Sequence, residues 1–286
     1  MTLEQAYLSL QGLSVGDGFG QCFYRLPEEA ISRQELPPYP WRWTDDTHMA
    51  VSIFETLRQH GRIDQEALAQ AFARRYTQDP RRGYAGGAHR LLQQVAAGED
   101  WRKASYALFD GGSYGNGGAM RAAPIGGYFA GDPEGAAQQA KLSAEVTHAH
   151  PEGQAGAMAV AAAAAIAAQP GRPIEAAFLE AVLPHIPAGL VRGGIEKSLD
   201  IPPGAFQQAV KTLGTGDLIS AQDTVPFCLW CAAYHLDNYS AALWFTVAGL
   251  GDRDTTCAIV GGIVALSAGA IPEAWLRHRE PLPISY

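Results

Sequence analysis

The stretch WTDDTHMAVSIFETL, residues 43–57, joins an acidic start to a stripe of apolar side chains. Met49, Ile53 and Leu57 recur every four residues, which places them on one face of a helix. Gly61 follows shortly afterwards, and glycine often ends a helix. The stretch therefore predicts an amphipathic helix that packs its apolar face against other helices.

The same helical periodicity recurs along the chain. Thr2 and Gln5 form a capping-box pattern before an apolar stripe, and Asp64 is positioned to cap another helix. The alanine-rich run 155–168 predicts a buried helix that neighbouring helices can approach closely. Alternating strand patterns are scarce, and no strand–helix–strand rhythm or internal repeat occurs. We expect a compact all-α fold with a single domain over residues 1–286.

Composition and charge exclude several classes of protein. The 286 residues carry a formal net charge of -8, which disfavours nucleic-acid binding because such proteins neutralise phosphates with basic side chains. Four cysteines are too few for a disulfide scaffold. No signal peptide is visible and the longest apolar run is too short to span a membrane, so we expect a cytoplasmic protein. No apolar stripe stands out as an interface, and we expect a monomer.

Two short acidic segments, each placed just before an apolar helix, carry the strongest chemical signal. Either segment alone could be an ordinary helix start, with a threonine cap and first-turn acids that favour the helix dipole. Having two such segments makes a shared site the alternative interpretation. Together they offer six oxygen-bearing side chains: Thr44, Asp45, Asp46, Asp252, Asp254 and Thr255.

A metal site would explain why a chain gathers so many acids. Four carboxylates in one pocket would repel one another and raise their pKa values. Mg²⁺ and Mn²⁺ remove that repulsion, since these hard cations prefer oxygen ligands in octahedral geometry. Two ions could share bridging carboxylates. The sequence thus predicts two Mg²⁺ or Mn²⁺ ions, on condition that the two helix starts meet in space.

A glycine-rich loop, FDGGSYGNGGAMR at residues 109–121, lies between the two acidic segments. Its five glycines let backbone N–H groups approach a ligand closely, and a diphosphate is a typical ligand of such loops. No Lys-Ser/Thr pair follows, which excludes a nucleoside-triphosphate P-loop. The loop could equally be a simple turn. Phe109 and Tyr114 could add a stacking surface for a ring.

Two further pairs of residues have a weaker signal. Cys228 and Cys231 have metal-type spacing, but no second pair completes a zinc site and their apolar neighbours favour a buried core. His148 and His150 would point to different faces of a helix, which disfavours a joint ligand role. One of the two histidines could still line a pocket.

These motifs together resemble those of the ADP-ribosylglycohydrolase family. They occur in the family's order and span nearly the whole chain. The glycine loop is most similar to the branch that removes ADP-ribose from serine and from polymers. The matching segments are GDGFG (16–20), TDDT (44–47), GSYGNGGAMR (112–121), TH (147–148) and GDRDT (251–255).

The resemblance implies an orthogonal all-α fold with two Mg²⁺ or Mn²⁺ ions in a central cleft, held by the six oxygen side chains. It implies ADP-ribose or an ADP-ribosylated substrate as the partner. Phe109 and Tyr114 would flank the distal ribose, and His148 would face the ribose or the phosphates. The backbone from Gly112 to Gly115 would hold the diphosphate. The full set of implied substrate-binding residues is Phe109, Gly112, Ser113, Tyr114, Gly115, Asn116 and His148.

Two positions depart from the family's pattern. The family usually has a glutamate four residues after the first motif, where this chain has Tyr24. Glu28 or Glu29 could reach in from the same loop, or the role could be absent. The family also favours glycine at the position of Leu250, a change that could alter a turn.

Three functions compete at this stage. The leading hypothesis is hydrolysis of the bond between C1 of the distal ribose and an acceptor, through an oxocarbenium-like transition state. Asp45 or Asp46 would take the proton of the attacking water. A dinuclear phosphoesterase is the second hypothesis, and an ADP-ribose-binding protein with little turnover is the third.

Overall fold

Helices form almost all of the regular structure in the computed structural model, which describes residues 2–284. Within that range the only β-type pairings are two isolated bridges, so the predicted all-α class is confirmed. None of these helices is both long and apolar enough to cross a membrane. The α-helices are α1 (Leu3–Cys22), α2 (Glu28–Ser32), α3 (Asp45–His60), α4 (Gln65–Gln78), α5 (Gly86–Ala96), α6 (Trp101–Ala107), α7 (Ala123–Tyr128), α8 (Pro133–Glu145), α9 (Pro151–Ala167), α10 (Glu175–Val182), α11 (Leu190–Ser198), α12 (Phe206–Leu213), α13 (Ala221–Ala233), α14 (Tyr239–Val247), α15 (Arg253–Ala268) and α16 (Glu273–His278).

Several helix ends match the sequence signals. The side chains of Thr2 and Asp64 cap α1 and α4 by accepting hydrogen bonds from backbone N–H groups of the first turn. Helices α3 and α15 end at Gly61 and Gly269, whose φ angles are 68° and 71°. Glycine adopts this left-handed conformation without the steric cost that a Cβ atom imposes.

The alanine-rich helix α9 lies at the centre of the molecule. All of its residues from Ala155 to Ala167 are buried, and α7, α8, α10, α13 and α15 pack around it. Small side chains on every face let these neighbours approach closely. Cys228 and Cys231 of α13 are free and fully buried, which confirms the prediction that they belong to the core.

Helices α1 and α15 lie in direct backbone contact. A methyl group added to Gly16 would lie 2.0 Å from Cys257 O, and one added to Gly20 would lie 2.1 Å from Arg253 O. No side chain fits at such distances, so the contact depends on glycine. It fixes the first turn of α15 beside Asp17 of α1. Every fourth residue on this face of α1 is a glycine: Gly12, Gly16 and Gly20.

Candidate active site

The first turns of α3 and α15 meet in one cleft, with the middle of α1 between them. One carboxylate oxygen from each of Asp17, Asp46 and Asp254 lies within 4.8 Å of the others. The two acidic segments therefore converge despite their separation in sequence. Three more of their side chains line the same cavity of about 470 Å³: Asp45, Asp252 and Thr255.

Asp17 supports the cluster from inside, and sequence reasoning had not included it among the site residues. Its carboxylate accepts hydrogen bonds from the backbone N–H and the hydroxyl of both Thr44 and Thr47, at 2.6–3.1 Å. These bonds tie the start of α3 to α1. The available signal was a charged residue inside the glycine-rich stretch GDGFG, because a buried acid needs such partners.

Thr44 shows why ordinary helix capping is an insufficient interpretation. It stands at the N-cap position of α3, but its side chain makes no capping hydrogen bond. Its hydroxyl instead lies 2.9 Å from Asp17 Oδ1 and 2.9 Å from Asp46 Oδ2. Thr44 is buried beneath the carboxylates and lies outside the lining of the cavity.

The carboxyl groups of the cluster are strongly perturbed. Burial raises the pKa of Asp17 to about 6, and burial together with the charge of Asp17 raises the pKa of Asp45 to about 7. Burial and neighbouring carboxylates also raise the pKa values of Asp46 and Asp254 well above the ordinary range. Asp46 Oδ1 is buried without a hydrogen-bond partner. The cluster therefore lacks positive charge, which a divalent cation would supply.

Tyr24 lies beside the acids of α15. Its hydroxyl is 3.2 Å from Asp252 Oδ1 and 3.2 Å from Asp254 Oδ1. Glu28 and Glu29 of α2 are exposed and do not line the cleft. A neutral hydroxyl thus reaches the metal end of the cleft from the position where the family carries a glutamate.

The turn before Asp252 is strained. Leu250 has a φ of 61°, in the left-handed region that glycine adopts freely and leucine adopts rarely. Gly251 follows with a φ of 58°, and a methyl group added to it would lie 2.3 Å from Thr215 O. The departure at Leu250 therefore keeps the turn at a conformational cost.

The glycine loop forms the opposite wall of the cleft. The backbone N–H of Gly112 donates to Leu108 O, and that of Gly115 donates to Ser113 Oγ. The N–H groups of Ser113 and Tyr114 have no hydrogen-bond acceptor anywhere in residues 2–284. Adjacent open N–H donors suit an anionic oxygen. Gly112 itself lies outside the cavity lining.

Asn116 links the glycine loop to the acidic cluster. Its Nδ2 donates to Asp252 Oδ2 at 2.7 Å and to Thr224 Oγ1 at 3.1 Å. The side chain that the resemblance assigns to substrate is therefore already engaged with a carboxylate. Thr224 of α13 had no sequence signal, because an isolated threonine in an apolar helix is common.

Exposed apolar side chains surround the mouth of the cleft. Phe109 is 63% exposed and Tyr114 is 47% exposed, on the side of the glycine loop. Leu218 and Ile219 face the same cavity from the loop before α13, at 77% and 57% exposure. Sequence reasoning missed this second pair because the loop carries no motif. The four side chains form an apolar rim suited to a planar ring.

The two histidines act separately, in agreement with their spacing. His150 caps α9 by accepting a hydrogen bond from the backbone N–H of Glu152 at 3.1 Å. His148 lines the cavity, and its Nδ1 lies 2.7 Å from Thr147 Oγ1. Burial and the nearby Arg121 guanidinium lower the pKa of His148 to about 3.

Comparison with known proteins agrees with this geometry. The family model described as ADP-ribosylglycohydrolase matches residues 2–282. The chain therefore belongs to the ADP-ribosylglycohydrolase family and is an enzyme of that class, a hydrolase of ADP-ribosyl glycosyl bonds. The resemblance inferred from the motifs is confirmed.

Individual relatives are similar over most of the chain. Human ADP-ribosylhydrolase ARH3 is 29% identical over 274 residues, which cover 83% of this chain and 74% of that protein. ADP-ribosylarginine hydrolase Tri1 of Pseudomonas putida is 26% identical over 303 residues, covering 98% and 77%. A solved structure titled ADP-ribosylglycohydrolase-related protein complex superposes with a TM-score of 0.66 at 23% identity, covering 97% and 93%. That structural match supports the fold.

Proposed function

We propose that this chain hydrolyses the bond between C1 of the distal ribose of ADP-ribose and an acceptor group, with divalent cations at its acidic cluster. The observation that carries the proposal is the meeting of Asp17, Asp46 and Asp254 in the cleft that also contains the open N–H groups of Ser113 and Tyr114. The first group suits cations and the second suits a diphosphate.

The acidic cluster fits Mg²⁺ or Mn²⁺ by its chemistry. All its donors are oxygens, several carboxyl pKa values are raised by crowding, and one buried oxygen of Asp46 lacks a partner. When bound, two such ions would supply Lewis-acid polarisation and would position the ribose hydroxyls. The residues proposed to hold them are Thr44, Asp45, Asp46, Asp252, Asp254 and Thr255, with Asp17 in support.

The protein's own groups then have distinct roles. Ser113 and Tyr114 donate backbone N–H groups to the diphosphate, and Phe109 packs its exposed ring against the ligand at the mouth. Asp45 lines the cavity and accepts the proton of the water that attacks C1. Asp46, buried beside Asp17, is the alternative base. Bond cleavage has oxocarbenium character, so negative charge near the ribose stabilises the transition state.

The test uses peptides carrying ADP-ribose on arginine or serine, and polymeric ADP-ribose, with and without divalent cation. We expect free ADP-ribose as product, with a rate that falls about 100-fold or more in Asp45→Asn and Asp46→Asn. Asp237→Asn, an exposed aspartate outside the cleft, is the matched control. Wild-type rates in both cleft variants would refute the mechanism, and AMP as product would indicate phosphoester cleavage.

ADP-ribose binding with little turnover is the second candidate function. Tyr24 favours it, since its hydroxyl contacts Asp252 and Asp254 where the family pattern has a glutamate. Calorimetric binding of ADP-ribose, with every substrate left intact, would support this candidate. The named relatives place both a general ADP-ribosylhydrolase and an arginine-specific hydrolase among the similar proteins, so the substrate panel decides the acceptor. A monomeric state and a cytoplasmic location stay predictions.

A further inference from the structure

His148 is held from behind by two consecutive hydrogen bonds. A terminal nitrogen of the Arg121 guanidinium donates to Thr147 Oγ1 at 2.7 Å, and that oxygen lies 2.7 Å from His148 Nδ1. Arg121 is fully buried and also donates to Gly117 O at 2.7 Å and Ser143 O at 3.1 Å. These bonds fix the guanidinium, so it presents a permanent donor to Thr147.

The direction of these bonds determines the tautomer of His148. A guanidinium has only donors, so Thr147 Oγ1 accepts from Arg121. The hydroxyl proton of Thr147 then needs an acceptor, and across residues 2–284 His148 Nδ1 is the one bonded to it. If Nδ1 carried the proton, the buried hydroxyl would be left without an acceptor, which is unfavourable. Nδ1 therefore accepts, and the ring proton resides on Nε2.

The opposite ring nitrogen faces the glycine loop and the cavity. A methyl group added to Gly117 would lie 3.0 Å from His148 Nε2, and one added to Gly115 would lie 3.3 Å from it. Both glycines line the cavity. In the described part of the chain Nε2 has no hydrogen-bond partner, so its N–H is open to a ligand.

We propose that Arg121 and Thr147 are positioning residues that fix His148 in the Nε2–H tautomer, so that the cleft presents a fixed N–H donor to an anionic oxygen of a diphosphate ligand. The same buried guanidinium lowers the pKa of His148 to about 3, which keeps the imidazole neutral when the ligand binds. The identity of the ligand rests on the proposed function, whereas the tautomer is a property of the free protein.

The experiment measures the tautomer directly in the full-length protein with ¹⁵N-labelled histidine. Long-range ¹H–¹⁵N spectra distinguish a protonated from an unprotonated ring nitrogen, and His148→Gln identifies the resonances of His148. The test variants are Thr147→Val, which removes the hydroxyl at nearly constant shape, and Thr147→Ser, which keeps it. Thr56→Val is the matched control, because Thr56 is a buried helical threonine bonded only to a backbone carbonyl of α3.

We expect an unprotonated Nδ1 and a protonated Nε2 in the wild type, Thr147→Ser and Thr56→Val. Thr147→Val should shift His148 towards the Nδ1–H form and weaken ADP-ribose binding about tenfold, the loss of one hydrogen bond to a charged ligand. Thr147→Ser should restore the affinity to within about twofold.

Two results would overturn the proposal: an Nδ1–H tautomer in the wild type, or an unchanged tautomer in Thr147→Val. If Thr147→Val does not fold, the spectra of the wild type and Thr147→Ser decide the tautomer. If the wild type has the expected tautomer but does not bind ADP-ribose, the ligand assignment and the proposed function fail, and the tautomer assignment stands.

Discussion

Among single residues, Tyr24 has the clearest consequence for cation binding. Its hydroxyl lies within hydrogen-bond distance of Asp252 and Asp254, but it can donate only one proton and contributes no negative charge. A glutamate in this position would bring a further anionic oxygen. The side chain of Tyr24 therefore orients the acids of α15 without adding to the charge that holds a cation.

Tyr24→Phe removes that orientation, and Tyr24→Glu tests the charge. We expect Tyr24→Phe to weaken Mn²⁺ binding about tenfold, because groups that orient metal ligands typically contribute that much to affinity. Tyr24→Glu should bind Mn²⁺ more tightly than the wild type, since it adds a carboxylate. Calorimetric titration of the metal-free protein measures both. Tyr106→Phe, whose hydroxyl bonds only Glu145 away from the cleft, is the control. Equal affinity in all four proteins would contradict the assigned role of Tyr24.

Between elements, the backbone contact of α1 with α15 determines where the acids stand. Asp17 lies on α1 between Gly16 and Gly20, and Asp254 lies in the first turn of α15. Because a methyl group on Gly16 would come within 2.0 Å of a carbonyl oxygen, the two helices would have to separate to accommodate it. Separation would move Asp254 away from Asp17.

Gly16→Ala should therefore destabilise the fold by about 3 kcal/mol or more and weaken cation binding as well. Gly193→Ala provides a matched comparison in a helix, because a methyl group at Gly193 meets no atom within 4 Å. That variant should gain about 0.5–1 kcal/mol from the higher helix propensity of alanine. Urea unfolding and Mn²⁺ titration of both variants measure the two effects. A Gly16→Ala protein as stable as Gly193→Ala would show that the glycine contact does not fix the cluster.

The same comparison of elements shows how far sequence reasoning extends. Periodicity and end signals at Asp64, Gly61 and Gly269 predict helices correctly, since these depend on neighbouring residues. The contact between Gly16 and Cys257 could not be predicted, because it joins segments that are distant in sequence. Motif resemblance supplied the convergence that periodicity alone could state only as a condition.

Side-chain partners are the least predictable feature of the site. Thr44 has the sequence position of a helix cap, yet its hydroxyl turns to Asp17, which the site analysis had omitted. Asn116, assigned to substrate by resemblance, bonds to Asp252. In each case the partner is contributed by another helix, so local sequence preference cannot identify it.

For the whole molecule, the acidic cluster lowers the stability of the metal-free fold at neutral pH. Burial and the charge of Asp17 raise the pKa of Asp45 to about 7, and burial raises that of Asp17 to about 6. A carboxyl with a raised folded-state pKa stabilises the fold below its unfolded pKa, and that contribution is lost as pH rises through the folded value. For Asp45 alone the loss is about 4 kcal/mol between about pH 4 and pH 7.

A divalent cation should reverse this dependence. Without metal, we expect the melting temperature to fall as pH increases from about 5 to 8, because the folded state must release protons from crowded carboxyls. With Mg²⁺ or Mn²⁺ it should rise over the same interval, since ionised carboxylates bind the cation and binding stabilises only the folded state. Calorimetric melting with chelator or with cation measures both trends.

Asp45→Asn should flatten both curves because it removes a carboxyl from the cluster, whereas Asp237→Asn should leave both unchanged because its side chain lies outside the cleft. If the metal-free protein instead became steadily more stable towards pH 8, these aspartates would already be ionised without a cation. The crowding of carboxylates around Asp17 would then give the protein no reason to bind a metal ion.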